Sequence, residues 1–151
     1  MTATRHSRDY DVGMFKPHGS ADISFDGRIM RFESTGPFNA ELVVATGMAM
    51  RDLLEQCPPQ GPYFELIRVH RSALLAMNVL PALEKLVADL SAAGLLSAGT
   101  AIVDEHGLDG FKLMFLPYAA VYAGYGHPIL SFTDYAGAEA WIEGQLPPPR
   151  T

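Results

Sequence analysis

Apolar and polar positions along this chain change their period several times, and each change marks a new element. Residues 21–25 and 28–33 alternate apolar and polar side chains, which is the period of a strand with one buried face. Asp26 and Gly27 separate the two runs, and Asp-Gly between alternating runs predicts a β-hairpin. Apolar residues over 37–56 instead recur at helical spacing and predict a helix, with Asn39 as its N-cap.

The rest of the chain alternates between short apolar runs and helical periodicity. Strands are predicted over 63–69, 99–103 and 128–132, and helices over 77–96, 107–125 (interrupted by Pro117) and 134–146 (capped by Thr133). Strands that alternate with helices form a largely parallel sheet, to which the hairpin adds an antiparallel edge. We therefore predict an α/β fold: a mixed, mostly parallel sheet with an antiparallel N-terminal hairpin, flanked by four helices.

The periodic region is bounded by two short segments that lack a pattern. Residues 1–18 are polar and aperiodic, and we assign them to an N-terminal tail. Residues 19–146 form the predicted domain. Residues 147–151 begin with three prolines, which cannot continue a helix, and we assign them to a C-terminal tail.

Composition narrows the class of protein. A chain of 151 residues fits one domain, and such a domain buries roughly 70% of its unfolded surface without needing a disulfide or a metal. The net charge of −6 and the absence of a basic stripe argue against a nucleic-acid partner. Cys57 is the only cysteine, and no apolar run reaches the length of about 20 residues that a transmembrane helix needs. We expect a cytoplasmic protein without a signal peptide or a transmembrane segment.

The most specific motif lies over residues 128–142, with the sequence Pro-Ile-Leu-Ser-Phe-Thr-Asp-Tyr-Ala-Gly-Ala-Glu-Ala-Trp-Ile. Phe132 ends the predicted strand, Ala140 allows the helix to approach the sheet, and Trp141 covers the edge of the sheet. This motif and the order of elements over 21–146 resemble the STAS family, in particular its SpoIIAA-like branch, which borders on the lipid-carrying Sec14-like domains. The resemblance implies a non-catalytic binding module.

One functional device of that family has no counterpart here. Its anti-sigma-factor antagonists carry an Asp-Ser-Ser-Gly-like turn after the third strand, and a kinase phosphorylates a serine of that turn. The resembling stretch is 74–80, where Met77 and Asn78 cannot accept a phosphate and Ser72 lies too early. We therefore expect no phosphorylation switch at this turn.

Polar groups that follow the predicted strand 63–69 are candidates for ligand binding. Arg68, His70 and Arg71 could receive an anionic head group. The alternative is that they form ion pairs with acids such as Glu65 or Glu33, or are simply solvated. We expect Arg68, His70 and Arg71, together with Tyr118 and Tyr122, to contact a ligand.

The predicted helix over 107–125 is apolar on every side, with Lys112 as its only charge. The sheet can cover one face, so the remaining surface requires a second subunit, an apolar ligand or further core. Aromatic side chains are enriched at interface cores. We predict a homodimer that buries Phe115, Tyr118 and Tyr122 and leave the ligand and core alternatives open.

The densest polar cluster is the loop from Asp104 to Asp109, which also holds Glu105 and His106. These groups could bind a divalent cation, or the loop could be solvated with Asp109 capping the next helix. No nucleophile motif or phosphate loop occurs, and we predict no catalytic residue, no metal ligand and no cofactor. Our leading hypothesis is a module that binds another protein, including itself. The alternatives are a carrier of an apolar or lipid-like molecule and a metal-dependent enzyme that uses the Asp104–Asp109 loop.

Overall fold

The computed structural model describes residues 1–13 and 15–148 and confirms the α/β class. Six strands form one sheet whose spatial order follows the chain. They are β1 (Ala3–His6), β2 (Ser20–Phe25), β3 (Ile29–Thr35), β4 (Phe64–His70), β5 (Gly99–Val103) and β6 (Ile129–Phe132). The pairs β1/β2 and β2/β3 are antiparallel and the three later pairs are parallel, so the sheet is mixed as predicted.

Four helices cover this sheet unequally. They are α1 (Ala40–Gln56), α2 (Val79–Ala92), α3 (Phe111–Val121) and α4 (Tyr135–Gln145). Right-handed crossovers between parallel strands that are added in one direction place every connecting helix on the same face. Accordingly α1, α2 and α3 form one layer, whereas α4 follows the last strand and packs on the opposite face of β4, β5 and β6.

The predicted hairpin is confirmed in its turn and its register. Gly27 has a φ of 91°, and the Asp26 carboxylate accepts hydrogen bonds from the backbone N–H groups of Arg28 and Ile29. Ile23 pairs with Phe32 in the resulting register. The alternation therefore delivers the apolar side chains of both strands to the α1 face.

The ends of the helices confirm one predicted cap and correct another. Asn39 caps α1, because its side chain accepts a hydrogen bond from the backbone N–H of Leu42. The cap of α4 is Asp134 and not Thr133, since the Asp134 carboxylate accepts from the N–H of Gly137 at 2.6 Å.

The contacts of α4 also differ from those expected of the C-terminal motif. Ala138, which is fully buried, is the small residue that brings α4 close to the sheet, whereas Ala140 is exposed. The Trp141 ring packs edge-on against Phe64 at 5.6 Å and lies 5.9 Å from the ring of Phe132. Trp141 thus covers the sheet, as expected.

The N-terminal segment is more ordered than its composition indicated. Sequence analysis assigned residues 1–18 to a tail, but Ala3–His6 forms the edge strand β1. This strand is held by backbone pairing with β2, which leaves little trace in the side-chain pattern. Of the C-terminal tail predicted over 147–151, residues 149–151 lie outside the described residues, as does residue 14 of the N-terminal tail.

Two main apolar clusters lie on opposite faces of the sheet. One packs α1 against β2 and β3, and the other packs α4 against β3, β4 and β5. Only a small third cluster, formed by Leu83, Val87 and Tyr122, lies beneath α3. None of the helices within the described ranges is long and apolar enough to cross a bilayer.

Candidate functional site

A cavity of about 170 Å³ lies between the sheet and the layer of α1, α2 and α3. The strands contribute side chains at alternate positions, because a pleated strand presents every second residue to one face. Those of β3, β4 and β5 are Phe32, Ser34, Glu65, Ile67, Val69 and Ile102. The cavity exists because α3 packs mainly on α2 and stands away from the sheet.

The outer wall of the cavity is formed by aromatic residues of α3 and by Tyr122, which directly follows this helix. Phe111, Phe115, Tyr118 and Tyr122 recur at helical spacing and all line the cavity. The rings of Phe111 and Phe115 stack at 5.8 Å, and those of Tyr118 and Tyr122 lie 5.6 Å apart. These side chains therefore face the chain's own interior.

This placement bears on the predicted homodimer. Tyr122 is only 4% exposed in the single chain and has almost no surface left for a second subunit. The side chains that α3 presents to solvent are instead Leu113, 69% exposed, and Leu116, 73% exposed. Dimerisation itself stays a prediction, and a dimer through α3 would use these two leucines.

The start of α3 differs from the predicted cap. Gly110, with a φ of 80°, occupies the N-cap position and offers no side chain to the first turn. Asp109 does not cap the helix, since α3 has no side-chain cap hydrogen bond; its backbone carbonyl accepts a hydrogen bond from the N–H of Ala73. The helix also contains Pro117, which removes a backbone donor. No residue of α3 is fully buried, so this helix is the least firmly packed wall of the cavity.

Glu65 is the only acidic or basic side chain among the described residues that line the cavity. It lies on the central strand β4 and is 5% exposed. Burial raises the pKa of Glu65 to about 7, and the nearby hydroxyls of Thr100 and Ser97 only partly offset that effect. The folded chain therefore keeps this proton to a higher pH than an exposed carboxyl group does.

A chain of hydrogen bonds extends from Glu65 to the backbone. Oε2 of Glu65 lies 2.8 Å from Oγ1 of Thr100, and Oγ1 lies 2.8 Å from Nε2 of His127. Nδ1 of His127 lies 3.0 Å from the carbonyl oxygen of Ser97. The ring of His127 also stacks on Tyr122 at 4.5 Å.

The direction of these bonds follows from the donors available. The Ser97 carbonyl can only accept, so Nδ1 of His127 carries a hydrogen. Burial lowers the pKa of His127 and favours the neutral ring, whose Nε2 can only accept. The hydroxyl of Thr100 donates to Oε2 of Glu65. Because this hydroxyl has one hydrogen, it can make both contacts at once beside a neutral His127 only when Glu65 is protonated and donates to it.

Two tyrosine hydroxyls complete the polar end of the cavity. The oxygens of Tyr118 and Tyr122 lie 3.4 Å apart. Burial is the main cause that raises the pKa of each phenol, and the negative charge of Glu65 adds to it. Both phenols therefore stay protonated and can donate or accept hydrogen bonds at neutral pH.

Sequence analysis named Tyr118 and Tyr122 but missed Glu65, Thr100 and His127 as site residues. A signal for Glu65 was present, because alternation places it on the same face as the apolar residues Ile67 and Val69. No pattern connects it with Thr100 or His127, which meet it only through strand pairing and a loop.

The other predicted ligand contacts lie away from the cavity. Arg68 and His70 point to the face that α4 covers, where Nε of Arg68 lies 3.1 Å from Glu105 and Nε2 of His70 lies 2.6 Å from Glu33. This confirms the alternative of ion pairing with Glu33, whereas Glu65 is on the opposite face. Arg71 is exposed, with a φ of 68°. Such partly exposed ion pairs contribute little stability.

Two acidic side chains of the Asp104–Asp109 loop already contact other groups of the chain. The Asp104 carboxylate accepts a hydrogen bond from the N–H of Leu108 at 2.8 Å, and Glu105 pairs with Arg68. His106 and Asp109 are exposed. Within the part of the chain that the structure describes, no three His, Cys, Asp or Glu residues come together as a metal site.

The cavity and its polar end are thus the best-formed site in the described structure. Comparison with protein-family models, with curated proteins and with solved structures gave no match to this chain.

Proposed function

We propose that this protein is a binding module that holds a small, mainly apolar molecule between its sheet and α3. The observation that carries the proposal is the cavity of about 170 Å³, whose lining is mainly apolar apart from Ser34, Thr46 and the polar end at Glu65. An engineered cavity of about 150 Å³ in another protein stays dry and binds benzene. The ligand is therefore about the size of one aromatic ring with a short substituent, which is smaller than a lipid.

The position of α3 supports entry of such a ligand. This helix has no fully buried residue and is flanked by Gly110 and Gly126, both with positive φ. Elements with few buried contacts open at lower free energy than the core does. We expect α3 to move outward when a ligand enters and to close over it afterwards.

Binding can be tested with toluene as a neutral probe. Titration followed by NMR should show shifts concentrated at Ile67, Val69 and the aromatic residues of α3. Val69→Phe places a ring inside the cavity and should weaken toluene binding at least tenfold. Val44→Phe is the matched control, because Val44 is 48% exposed on α1. Absence of saturable binding to the natural chain, or equal binding to the Val69→Phe variant, would contradict the proposal.

A second candidate function is association with another protein, including a second copy of the chain. The observation in its favour is the exposure of Leu113 and Leu116 on α3 and of Met77, which is 98% exposed in the loop before α2. Exposed apolar residues in one region mark interaction surfaces. Sedimentation of the natural chain and of a Leu113→Glu, Leu116→Glu variant at micromolar concentration tests this. A monomer in both cases would exclude self-association through α3.

Both candidates agree with a non-catalytic role. Membership of the STAS family, a cytoplasmic location and the lack of enzymatic activity remain proposals that rest on the sequence.

A further inference from the structure

Glu65 is an unusual group to find at the end of an apolar cavity. It is only 5% exposed, although a glutamine at this position would avoid burying an ionisable group. Its Oε2 is engaged by Thr100. Among the described residues, the hydrogen bond to this carboxyl group comes from Thr100, and the nearby hydroxyl of Ser97 is buried without a partner of its own. The carboxyl group therefore has acceptor capacity that the chain does not use.

The surroundings of Glu65 lack a cation. Among the described residues, three tyrosines face it, and burial keeps their phenols neutral: Tyr63, Tyr118 and Tyr122. The fourth titratable group is His127, whose neutral form is favoured by burial. The described lysine and arginine side chains that form ion pairs do so outside the cavity, as Arg68 does with Glu105. Among the described residues, the negative form of Glu65 thus has a hydroxyl partner in Thr100 but no cation beside it.

We propose that the cavity takes a small primary amine, bound as its ammonium ion, with Glu65 as the counter-ion. The ammonium group donates to Oε1 of Glu65, and the ring faces of Tyr118 and Tyr122, which line the same cavity, stabilise the positive charge. The apolar part of the amine occupies the space beside Ile67, Val69 and Leu83. This inference rests on the proposed binding function and names the chemistry of its ligand.

The arrangement also explains what the cavity rejects. A carboxylate or phosphate ligand would place a second negative charge beside Glu65, and no cation is present to compensate. A neutral molecule can enter, but it leaves the charged form of Glu65 unpaired. The net charge of −6 on the whole chain also favours the approach of a cation over that of an anion.

Four probes with the same ring and different substituents test the proposal: benzylamine, benzyl alcohol, toluene and benzoate. Their dissociation constants are measured by NMR titration of the full chain at pH 7.5. We expect benzylamine to bind at least tenfold more tightly than benzyl alcohol and toluene, and benzoate not to bind. In Glu65→Gln, which keeps the shape of the side chain, benzylamine should lose this preference while toluene binds as before. Glu84→Gln, on the exposed side of α2, is the matched control and should leave all four constants unchanged.

Tyr118→Phe provides a second variant that keeps the ring but removes an oxygen from the polar end. It should weaken benzylamine binding about threefold without changing toluene binding. If toluene binds to the natural chain but benzylamine binds no more tightly, or if Glu65→Gln keeps the amine preference, the amine proposal is wrong and the binding function stands. If none of the four probes binds, the proposed function itself is wrong.

Discussion

Glu65→Gln should make the folded chain more stable at alkaline pH, with a smaller gain at acidic pH. Glutamine has nearly the shape of a protonated glutamate. Its amide N–H can donate to Oγ1 of Thr100 as a protonated carboxyl group would, and its carbonyl oxygen can accept from that hydroxyl, so the contact with Thr100 is kept in either direction. What the substitution removes is the negative charge that the folded state must bury.

The magnitude follows from the pKa of Glu65. Burial raises the pKa of this carboxyl group from 4.5 to about 7 in the folded chain. Between these two values the unfolded chain has lost the proton and the folded chain still holds it. The folded state therefore binds more protons, and its stability decreases as the pH rises through this window. The full difference corresponds to roughly 3 kcal/mol, reached above pH 7.

The assay compares thermal and urea unfolding of the natural chain and the variant from pH 5 to pH 8. Groups that titrate in both proteins cancel in the difference between them. We expect an advantage for Glu65→Gln of about 1 kcal/mol at pH 5 that grows to about 3 kcal/mol at pH 8, the latter being roughly 6–12 °C in Tm for a chain of this size. Glu84→Gln, an exposed substitution of the same type, should show no such pH-dependent gain. A difference that does not change with pH, or a less stable variant at pH 8, would refute the reasoning.

Three further substitutions test which contacts stabilise the fold, and each is measured by urea unfolding at pH 7. Gly36→Ala should destabilise the chain by more than about 2 kcal/mol, because its Cβ would overlap the carbonyl oxygen of Ser72, whereas Gly124→Ala, with nothing within 4 Å, should be nearly neutral. Ile142→Ala should cost about 2–5 kcal/mol, since Ile142 is a fully buried residue of α4; a loss below about 1 kcal/mol would mean that α4 packs loosely. Asn39→Ala should cost about 1 kcal/mol through loss of the α1 cap, and an unchanged midpoint would show that the Leu42 N–H finds another acceptor.

Much of the fold could be predicted because its signals are local. The Asp26-Gly27 turn, the Asn39 cap and the apolar run of β5 each depend on neighbours within a few residues. The alternation of strands and helices then restricts the topology, since right-handed crossovers leave few arrangements. The errors were also local: Asp134 lies one residue from the predicted cap Thr133, and Ala138 lies two residues from Ala140.

The candidate site could be predicted only in part, because its residues come from distant parts of the chain. The pattern showed an apolar, aromatic α3, but a subunit, a ligand or more core could equally cover such a helix. Only the packing shows that Phe115, Tyr118 and Tyr122 turn inward over a cavity and that Leu113 and Leu116 remain exposed. Likewise, the sequence left open whether Arg68 contacts a ligand or forms an ion pair, and the structure places it between Glu33 and Glu105.

The sequence by itself determined the class of fold, the hairpin and the order of the elements, because periodicity and turn chemistry act over a few residues. The tertiary structure alone decided which acid is buried without a cation and which groups surround it. Glu65 meets Thr100 because β4 and β5 pair with these two residues opposite each other, and it reaches His127 through that threonine. Such contacts between residues far apart in the chain depend on strand register and on the gap that α3 leaves above the sheet, and neither is encoded in a local pattern.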